Sequence, residues 1–283
     1  MQYTEIQTPH DLIRAYRTRT KHQFGQHFLS DPSILTRMCA HARLGQGDHV
    51  LEIGPGCGTL TWMMLQHGAS VHAIEIDRDA IAFLETMFAD APFELTAKDA
   101  RKVDWPALLD THDAPWTCIA NLPYNVGTSI FLELTKHAHR FKSLTLMFQK
   151  EVAQRIVASE GDKAYGSLSL AMRLHYDTSL VMKLPPGAFS PPPKVHSAVV
   201  HCVPVAGTRI PDPDVRAMFE RVIRAAFQQR RKKLSNGLKS FVAKNILMQG
   251  YSEVGLGDNA RAEELSFEQF EALAAFLVGA EQA

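Results

Sequence analysis

The chain has 283 residues, of which 46% are hydrophobic and 21% are charged, and its formal net charge at pH 7 is zero. This length and composition predict a globular protein of about two domains and exclude wholesale disorder. No run approaches the roughly 18–20 uncharged apolar residues of a membrane span, so we expect no membrane association. Residues 1–20 carry charges and no apolar block, so they predict neither a secretory signal nor a transit peptide.

The four cysteines stand apart in the sequence, without a Cys-x-x-Cys pair. Their spacing excludes a disulfide scaffold and disfavours a zinc site built on cysteine. Scattered cysteines in a chain without a signal are typical of a reducing compartment, so we expect a cytoplasmic protein whose cysteines are small buried residues. The thirteen histidines include no His-x-x-x-His pair, and we predict no catalytic metal.

In chain order, residues 1–24 are polar and basic and form an N-terminal arm, either loosely ordered or a helix ending near Thr20. Pro32 opens the next helix, and Asp31 or Ser30 supplies its N-cap. From His49 onwards, short apolar runs alternate with amphipathic segments, which predicts alternating strands and helices. The predicted strands are 49–53, 70–75, 93–97, 116–120 and 144–148, and the predicted helices between them include 59–67 and 79–88.

This alternation predicts an α/β, Rossmann-like domain over residues 25–206, with a mostly parallel sheet between layers of helices. Residues 190–193, Ser-Pro-Pro-Pro, exclude a helix and set an extended segment. Residues 180–184 and 195–205 predict a late pair of strands. Beyond a proline-rich linker, residues 207–283 predict a small all-helical domain, with helices at 215–229, 234–242 and 267–278.

A glycine-rich loop, residues 54–58 (Gly-Pro-Gly-Cys-Gly), joins the strand 49–53 to the next helix. Glycine lets the backbone turn sharply and approach a ligand, and open α/β sheets bind nucleotides at this end of their strands. Glu75 ends the next strand, where a carboxylate can accept hydrogen bonds from two ribose hydroxyls. The loop alone would be typical of any tight turn. Together with Glu75 it predicts a nucleotide-type cofactor.

Two cofactors remain open from these residues, a nicotinamide dinucleotide and S-adenosylmethionine. Glu52 is expected to face the loop, where a carboxylate disfavours a pyrophosphate and suits the ammonium group of a methionine. Pro55 also departs from the dinucleotide fingerprint. Asp99 follows the third strand, where its carboxylate can accept a hydrogen bond from an adenine amino group. The neighbouring amide of Ala100 can donate to a ring nitrogen.

Residues 121–124, Asn-Leu-Pro-Tyr, follow the fourth strand. The exocyclic amine of adenine is a weak nucleophile because its lone pair is delocalised into the ring, so a catalyst needs two acceptors for its N–H groups. In our interpretation, the side-chain oxygen of Asn121 and the carbonyl of Leu122 are these acceptors, and Pro123 fixes their backbone. Tyr124 offers a stacking face for a base taken out of its helix. Away from a cofactor site, the same residues would predict only a turn.

With these motifs, the sequence resembles the small-subunit ribosomal RNA adenine N6,N6-dimethyltransferases over nearly the whole chain. Methylases of large-subunit RNA that confer antibiotic resistance share several of the same stretches, so they remain the nearest alternative. The stretches that carry the resemblance are Gly25-Gln26-His27-Phe28-Leu29, Leu51-Glu52-Ile53-Gly54-Pro55-Gly56, Asn121-Leu122-Pro123-Tyr124, Gln149-Lys150-Glu151-Val152, Ala164-Tyr165-Gly166 and Phe189-Ser190-Pro191-Pro192-Pro193-Lys194-Val195.

The resemblance implies that residues 25–206 are a methyltransferase domain with S-adenosylmethionine as cofactor. It implies a substrate of two adjacent adenines near the 3′ end of small-subunit RNA, in an immature subunit, each methylated twice. It also suggests that Phe189 stacks on the target base opposite Tyr124, which we favour over its alternative as a core aromatic next to a proline bend. Many family members have Asn where this chain has His27, whose imidazole can also donate and accept. The predicted cofactor contacts are Gln26, His27, Leu29, Glu52, Gly54, Gly56, Glu75, Ile76, Asp99, Ala100 and Asn121.

Charge is segregated near the C-terminus. Residues 216–244 contain nine basic residues and one acid, whereas residues 245–283 contain seven acids and one base. Residues 216–244 contain almost no acids, so ion pairs between successive helix turns do not account for the cluster of basic residues. We therefore predict that the cluster contacts RNA phosphates. The predicted RNA-binding residues are Arg221, Arg224, Arg230, Arg231, Lys232 and Lys233, and three of them (Arg221, Arg224 and Lys232) are expected to share a helix face.

Two other functions stay open from the sequence. One is a ribosome-assembly factor whose main work is to bind immature small subunits. The other is a nicotinamide-dependent oxidoreductase, which the glycine loop and Glu75 favour and the motif at residues 121–124 disfavours. We expect a monomer because the large RNA partner supplies the interface.

Overall fold

The fold is given by a computed structural model that describes residues 3–19, 27–229 and 232–282. Its α-helices are α1 (Pro9–Arg19), α2 (Pro32–His41), α3 (Thr59–Gln66), α4 (Arg78–Met87), α5 (Trp105–Leu109), α6 (Gly127–Thr135), α7 (Lys150–Val157), α8 (Ser167–Arg173), α9 (Pro213–Ala226), α10 (Leu234–Leu238), α11 (Lys244–Val254) and α12 (Phe267–Gln282). Its strands are β1 (Phe28–Leu29), β2 (His49–Ile53), β3 (Ser70–Glu75), β4 (Phe93–Ala97), β5 (Trp116–Asn121), β6 (Phe141–Gln149), β7 (Tyr176–Leu184), β8 (Phe189–Ser190) and β9 (Ser197–Pro204).

Seven strands form one sheet in the order β4-β3-β2-β5-β6-β9-β7. The five strands from β4 to β6 run parallel, and β9 pairs antiparallel with β6. Strands β3 and β4 follow β2 on one side of the sheet, and β6 follows β5 on the other side. The direction in which strands are added therefore reverses between β2 and β5. In open α/β sheets such a switch leaves a crevice at the carboxyl ends of the strands, where ligands bind. The predicted α/β, Rossmann-like fold is confirmed.

The central strands are apolar on both faces, as strands covered by helices on both sides must be. Val50 and Ile53 of β2 and Ile119 of β5 are at most 2% exposed. All four cysteines are free and buried, which confirms their interpretation as small core residues. None of the helices within the described ranges is long and apolar enough to cross a membrane.

The N-terminal helix α1 belongs to this core. Leu12 and Tyr16 are at most 1% exposed. The Tyr16 ring meets those of Phe28 and Phe83 edge-on, with centroids 5.3 and 5.2 Å apart. The helical alternative for the arm is therefore confirmed and the loosely ordered one is wrong, because buried side chains hold α1 in place. Residues 20–24 of the predicted arm lie outside the described residues.

The chain divides into two compact units. The first contains Met1–Ala153 and Ser179–Pro204, and the second contains Gln154–Thr178 and Val205–Ala283. The arm thus joins the first unit, and residues 154–178, predicted within the methyltransferase domain, group with the second. The reason is tertiary: Tyr165 and Leu170 share a buried cluster with Phe219, and the Tyr165 hydroxyl donates to the carbonyl of Leu265 at 3.0 Å.

Gly58 caps α3 in the left-handed conformation, and a Cβ there would lie 2.7 Å from the Phe88 ring. We expect Gly58→Ala to lower the free energy of unfolding by about 2–5 kcal/mol, because left-handed strain of about 1–2 kcal/mol adds to overpacking of about 1–3 kcal/mol. Gly47 has a φ of +83° and nothing within 4 Å of its hypothetical Cβ. Gly47→Ala is the matched control. It should lower the free energy of unfolding by the left-handed strain alone, about 1–2 kcal/mol. Urea unfolding measures both, and equal losses would contradict the role of Phe88.

Candidate active site

A cavity of about 560 Å³ opens at the carboxyl ends of β2, β3 and β5, where the sheet order switches. Its size is typical of small-molecule sites, which span about 300–1,000 Å³. The predicted residues that line it are His27, Leu29, Glu52, Gly54, Gly56, Glu75, Ile76, Asn121, Leu122, Pro123 and Tyr124. Sequence reasoning missed the lining residues Phe28, Pro55, Thr59, Leu60, Asp77 and Asn125, although each continues a loop or strand that it had singled out.

The glycine loop packs closely against its neighbours. Gly54 and Gly56 have φ values of 69° and 58°, in the region that favours glycine. A Cβ on Gly54 would lie 3.4 Å from the Pro123 ring, and one on Gly56 would lie 3.0 Å from the Phe28 ring. The two glycines therefore let the loop lie directly against Pro123 and Phe28, which closes one wall of the cavity.

Glu75, at the end of β3, is held rigidly beside that loop. Its carboxylate accepts hydrogen bonds from the backbone amides of Gly56 at 3.1 Å, Ile76 at 2.7 Å and Asp77 at 2.9 Å. A carboxylate has about four lone-pair sites, so three amide donors leave capacity for a ligand hydroxyl. Next to it, Ile76 is 63% exposed and offers the cavity an apolar surface.

Glu52 is a buried acid in the wall of the same cavity, with 1% of its surface exposed. Its carboxyl accepts a hydrogen bond from the Thr61 hydroxyl at 2.5 Å. Burial raises the pKa of Glu52 to about 8, and the charge of Glu75 acts in the same direction, whereas the Thr61 bond opposes it. Glu52 is therefore protonated at neutral pH unless a cation lies beside it.

The loop at residues 121–124 is pinned at both ends. Asn121 is the last residue of β5, and the Leu122 amide donates to the carbonyl of Met147 in β6 at 3.3 Å. The Pro123 carbonyl accepts from the amide of Gly127, the first residue of α6, at 2.7 Å. Such a loop holds the Asn121 amide and the Leu122 carbonyl in fixed positions at the cavity.

Tyr124 lines the cavity, and a contact of its hydroxyl holds the ring in place. The phenol oxygen lies 2.6 Å from the hydroxyl of Ser197, a fully buried residue in β9. Burial raises the pKa of Tyr124, so the ring stays uncharged in the physiological range. The result is a neutral aromatic face in a fixed position.

Asp99 and Ala100 are not among the lining residues. The Asp99 carboxylate is bound by the Arg101 guanidinium at 2.7 and 3.1 Å and by the Arg101 amide at 2.9 Å. These hydrogen bonds lower the pKa of Asp99 to about 2. Asp99 is thus ionised and already paired, and its adenine contact stays a prediction.

Phe189 lies in the core of the first unit, with 3% of its surface exposed. It belongs to β8, which pairs antiparallel with β1 so that Phe189 is opposite Leu29. The structure thus places it as a core aromatic next to a lining residue, and stacking on the target base stays a prediction. Sequence reasoning missed this pairing because two-residue strands carry no periodicity.

His27 links the cavity to the proline segment after β8. Its Nδ1 lies 2.8 Å from the carbonyl oxygen of Pro191. A carbonyl only accepts, so Nδ1 carries the proton in this bond. The imidazole therefore has a definite structural role at the position where many family members have Asn. Gln26, the preceding predicted contact, lies outside the described residues.

On the predicted RNA-binding face, Arg221 and Arg224 are exposed side chains of α9. Because α9 ends at Ala226 and a short 3-10 turn follows to Gln229, the expectation that Lys232 shares their helix face is wrong. Lys232 and Lys233 are exposed and lie past the helix. Arg230 and Arg231 lie outside the described residues. Over the described part of the chain, no group of three or more His, Cys, Asp or Glu is placed to hold a metal ion.

Comparison with known proteins identifies the family. The chain matches the family model for ribosomal RNA adenine dimethylase over residues 17–278. It is 44% identical over 257 residues to the ribosomal RNA small subunit methyltransferase A of Syntrophotalea carbinolica, covering 90% of this chain and 96% of that protein. It is 41% identical over 264 residues to the protein of the same name from Magnetococcus marinus, covering 93% and 94%.

Solved structures show the same fold. A dimethyladenosine transferase from Plasmodium falciparum aligns with a TM-score of 0.71 and 26% identity, covering 90% of this chain and 98% of that one. The 23S rRNA methyltransferase ErmE aligns with a TM-score of 0.66 and 21% identity, covering 89% and 99%, which shows a shared fold alone. Because the family match extends over nearly the whole sequence, this chain belongs to the ribosomal RNA adenine dimethylase family.

Proposed function

We propose that this protein transfers methyl groups from S-adenosylmethionine to N6 of two adjacent adenines near the 3′ end of small-subunit ribosomal RNA, giving N6,N6-dimethyladenosine during ribosome biogenesis. The observation that carries the proposal is the pinned loop at residues 121–124, which lines one cavity with the glycine loop. The relatives are named small-subunit methyltransferases, which favours small-subunit RNA over the large-subunit RNA of the resistance enzymes.

The residues of the cavity fit S-adenosylmethionine. The carboxylate of Glu75 is held ready for ribose hydroxyls, and the exposed Ile76 suits the face of an adenine ring. The ammonium group of the methionine lies beside Glu52 in this proposal. Its positive charge offsets the cost of ionising the buried Glu52 carboxyl, which then supplies the opposite charge. When bound, S-adenosylmethionine supplies an electrophilic methyl group on a sulfonium.

Asn121 and Leu122 orient the nucleophile. The Asn121 side-chain oxygen and the Leu122 carbonyl accept the two N–H groups of the target adenine, which localises the nitrogen lone pair toward the methyl donor. Hydrogen bonds to Met147 and Gly127 hold this loop in place, so no reorganisation is needed during the reaction. The proton leaves after attack, and for that reason no strong base is required.

Tyr124 holds the target base by stacking, so removal of its ring and removal of its hydroxyl should differ. We expect Tyr124→Ala to lower kcat/KM by about 10- to 100-fold, since stacking of a base on an aromatic ring contributes about 1–3 kcal/mol. We expect Tyr124→Phe to retain methyl transfer within about threefold. It should still lower the free energy of unfolding by about 1–3 kcal/mol, because the buried Ser197 hydroxyl loses its partner. Equal activity of the two variants would contradict the stacking role.

In this proposal, basic residues of the second unit hold the RNA. These are Arg221, Arg224, Arg230, Arg231, Lys232 and Lys233. The substrate is the immature small subunit, and the protein acts as a monomer in the cytoplasm. The segregation of nine basic residues into positions 216–244 supports a local attraction for RNA in a chain of zero net charge.

Mass spectrometry of small-subunit RNA tests the function. Unmethylated subunits are incubated with the protein and S-adenosylmethionine, and the RNA is digested and mapped. The expected product is dimethyladenosine at two adjacent adenines near the 3′ end. Product on large-subunit RNA alone would overturn the substrate assignment. Binding of subunits without any methylated product would overturn the enzymatic proposal in favour of an assembly factor.

A further inference from the structure

We infer that the second unit carries a binding site for a single unpaired nucleotide of the substrate RNA, with an amino-bearing base, in a pocket between α9 and the segment after α10. The inference rests on the proposed function, because the RNA substrate supplies the nucleotide. The pocket has a volume of about 360 Å³ and is lined by residues between 217 and 241, none of which lines the catalytic cavity.

Small residues create this pocket. Ala217 and Ala225 of α9 contribute short side chains to its lining. Gly237 lets α10 lie directly against α9, since a Cβ there would be 2.7 Å from the Ala225 carbonyl oxygen. Phe241, three residues beyond the end of α10, completes the lining.

A planar cationic surface faces the pocket. The Arg221 guanidinium lies over the Phe241 ring, 4.1 Å from its centroid. The Glu281 carboxylate pairs with the same guanidinium at 3.8 Å, while 52% of the Arg221 side chain remains exposed. The Phe241 ring thus covers one side of the guanidinium, and about half of the Arg221 side chain stays exposed to a ligand. Unpaired RNA bases stack on such guanidinium planes.

Two further side chains supply the remaining groups that a nucleotide needs. Arg224 lines the pocket and is exposed, and its guanidinium has no hydrogen-bond or ion-pair partner within the described ranges, so it can bind a phosphate. Glu220 lines the pocket too and is the single acid of residues 216–244. A carboxylate repels phosphate and accepts the amino protons of adenine, guanine or cytosine. Uracil offers it only a ring N–H between two carbonyl oxygens, which the carboxylate repels. The position of Glu220 therefore favours an amino-bearing base over uracil and over an isolated phosphate.

Photo-crosslinking with oligoadenylate tests the site on the full chain. Peptide mapping by mass spectrometry is expected to find adducts in the catalytic cavity and in residues 217–241. Arg221→Lys keeps the charge and removes the plane, so it should abolish the second adduct and retain the first. Arg37→Lys, at an exposed position on α2, is the control and should change neither. Absence of an adduct at 217–241, or its persistence in Arg221→Lys, would overturn the inference.

A kinetic measurement separates this inference from the proposed function. With unmethylated small subunits, Arg221→Lys should raise KM for the subunit by about 5- to 50-fold, in line with the loss of one stacked base, and leave kcat unchanged. Glu220→Gln should reduce the preference of the pocket adduct for oligoadenylate over oligouridylate. Methylation by the wild type with an unchanged KM in Arg221→Lys would refute the pocket alone. Failure of the wild type to methylate subunits would refute the function.

Discussion

Replacement of Asn121 by alanine is expected to lower kcat by at least about 10²- to 10³-fold, the usual cost of losing one preorganised group that stabilises a transition state. The loss should fall on kcat because the amide oxygen acts on the N–H groups of the adenine while the rest of the cavity is intact. The neighbouring backbone bonds of Leu122 to Met147 and of Pro123 to Gly127 do not involve the Asn121 side chain, so the loop should keep its shape.

Single-turnover methylation of unmethylated subunits measures the rate, and calorimetry measures cofactor affinity. Asn259→Ala, at an exposed position in the second unit, is the matched control and should behave as wild type. We expect Asn121→Ala to bind small subunits as tightly as wild type does. Turnover within tenfold of the wild-type rate would remove Asn121 from the mechanism.

Replacement of Glu52 by glutamine is expected to have opposite effects on stability and on cofactor binding. In the folded protein without cofactor, burial raises the pKa of Glu52 to about 8 from a usual value near 4.5. Glutamine can still accept the Thr61 hydrogen bond but never ionises. The free energy of unfolding at pH 7 should therefore rise by about 3 kcal/mol. The affinity for S-adenosylmethionine should fall by about 10- to 100-fold, because a charge-assisted contact is lost.

The direction of the pH dependence follows from proton binding. Between pH 4.5 and 8 the unfolded chain has released the Glu52 proton while the folded chain keeps it, so raising the pH stabilises the unfolded state. The free energy of unfolding of the wild type should therefore fall across this interval because of Glu52. Above pH 8 both states have released the proton, so Glu52 should cause no further fall. Below pH 4.5, wild type and Glu52→Gln should be equally stable.

Urea unfolding at several pH values, without cofactor, measures this difference. A stability gap that opens between pH 5 and 8 is the expected result. Cofactor affinity of the wild type should rise over the same interval, because the cationic ligand binds the ionised carboxylate. A constant gap at all pH values, or an unchanged affinity in Glu52→Gln, would show that Glu52 is not the titrating partner of the cofactor.

Much of the first unit could be predicted from short-range patterns. The strands 49–53, 70–75 and 93–97 agree with β2, β3 and β4 to the residue, because each is a short apolar run bounded by loop residues. Asp31 caps α2 with its side chain, as expected, since capping is a local hydrogen bond. In the second unit, helix α11 was missed and the helix predicted at 234–242 ends at Leu238.

The site was predicted in part for the same reason. The carboxyl ends of parallel strands meet at one edge, so Gly54, Glu75 and Asn121 had to come together once the strands were assigned. Contacts between distant segments carry no such pattern. The pairing of Phe189 with Leu29 and the hydrogen bond between Tyr124 and Ser197 could not be predicted.

The sequence alone determined which chemical groups are available to this protein. They are the glycine loop, the acids Glu75 and Asp99 at the ends of two strands, and the Asn-Leu-Pro-Tyr loop after a third. These are local features, specified by residue type and spacing. Only the tertiary structure decided which polar groups from distant segments were paired, as Tyr124 and Ser197 are, and which were buried, as Glu52 is. It also placed Arg221 over Phe241, because stacking across twenty residues depends on how α10 packs against α9.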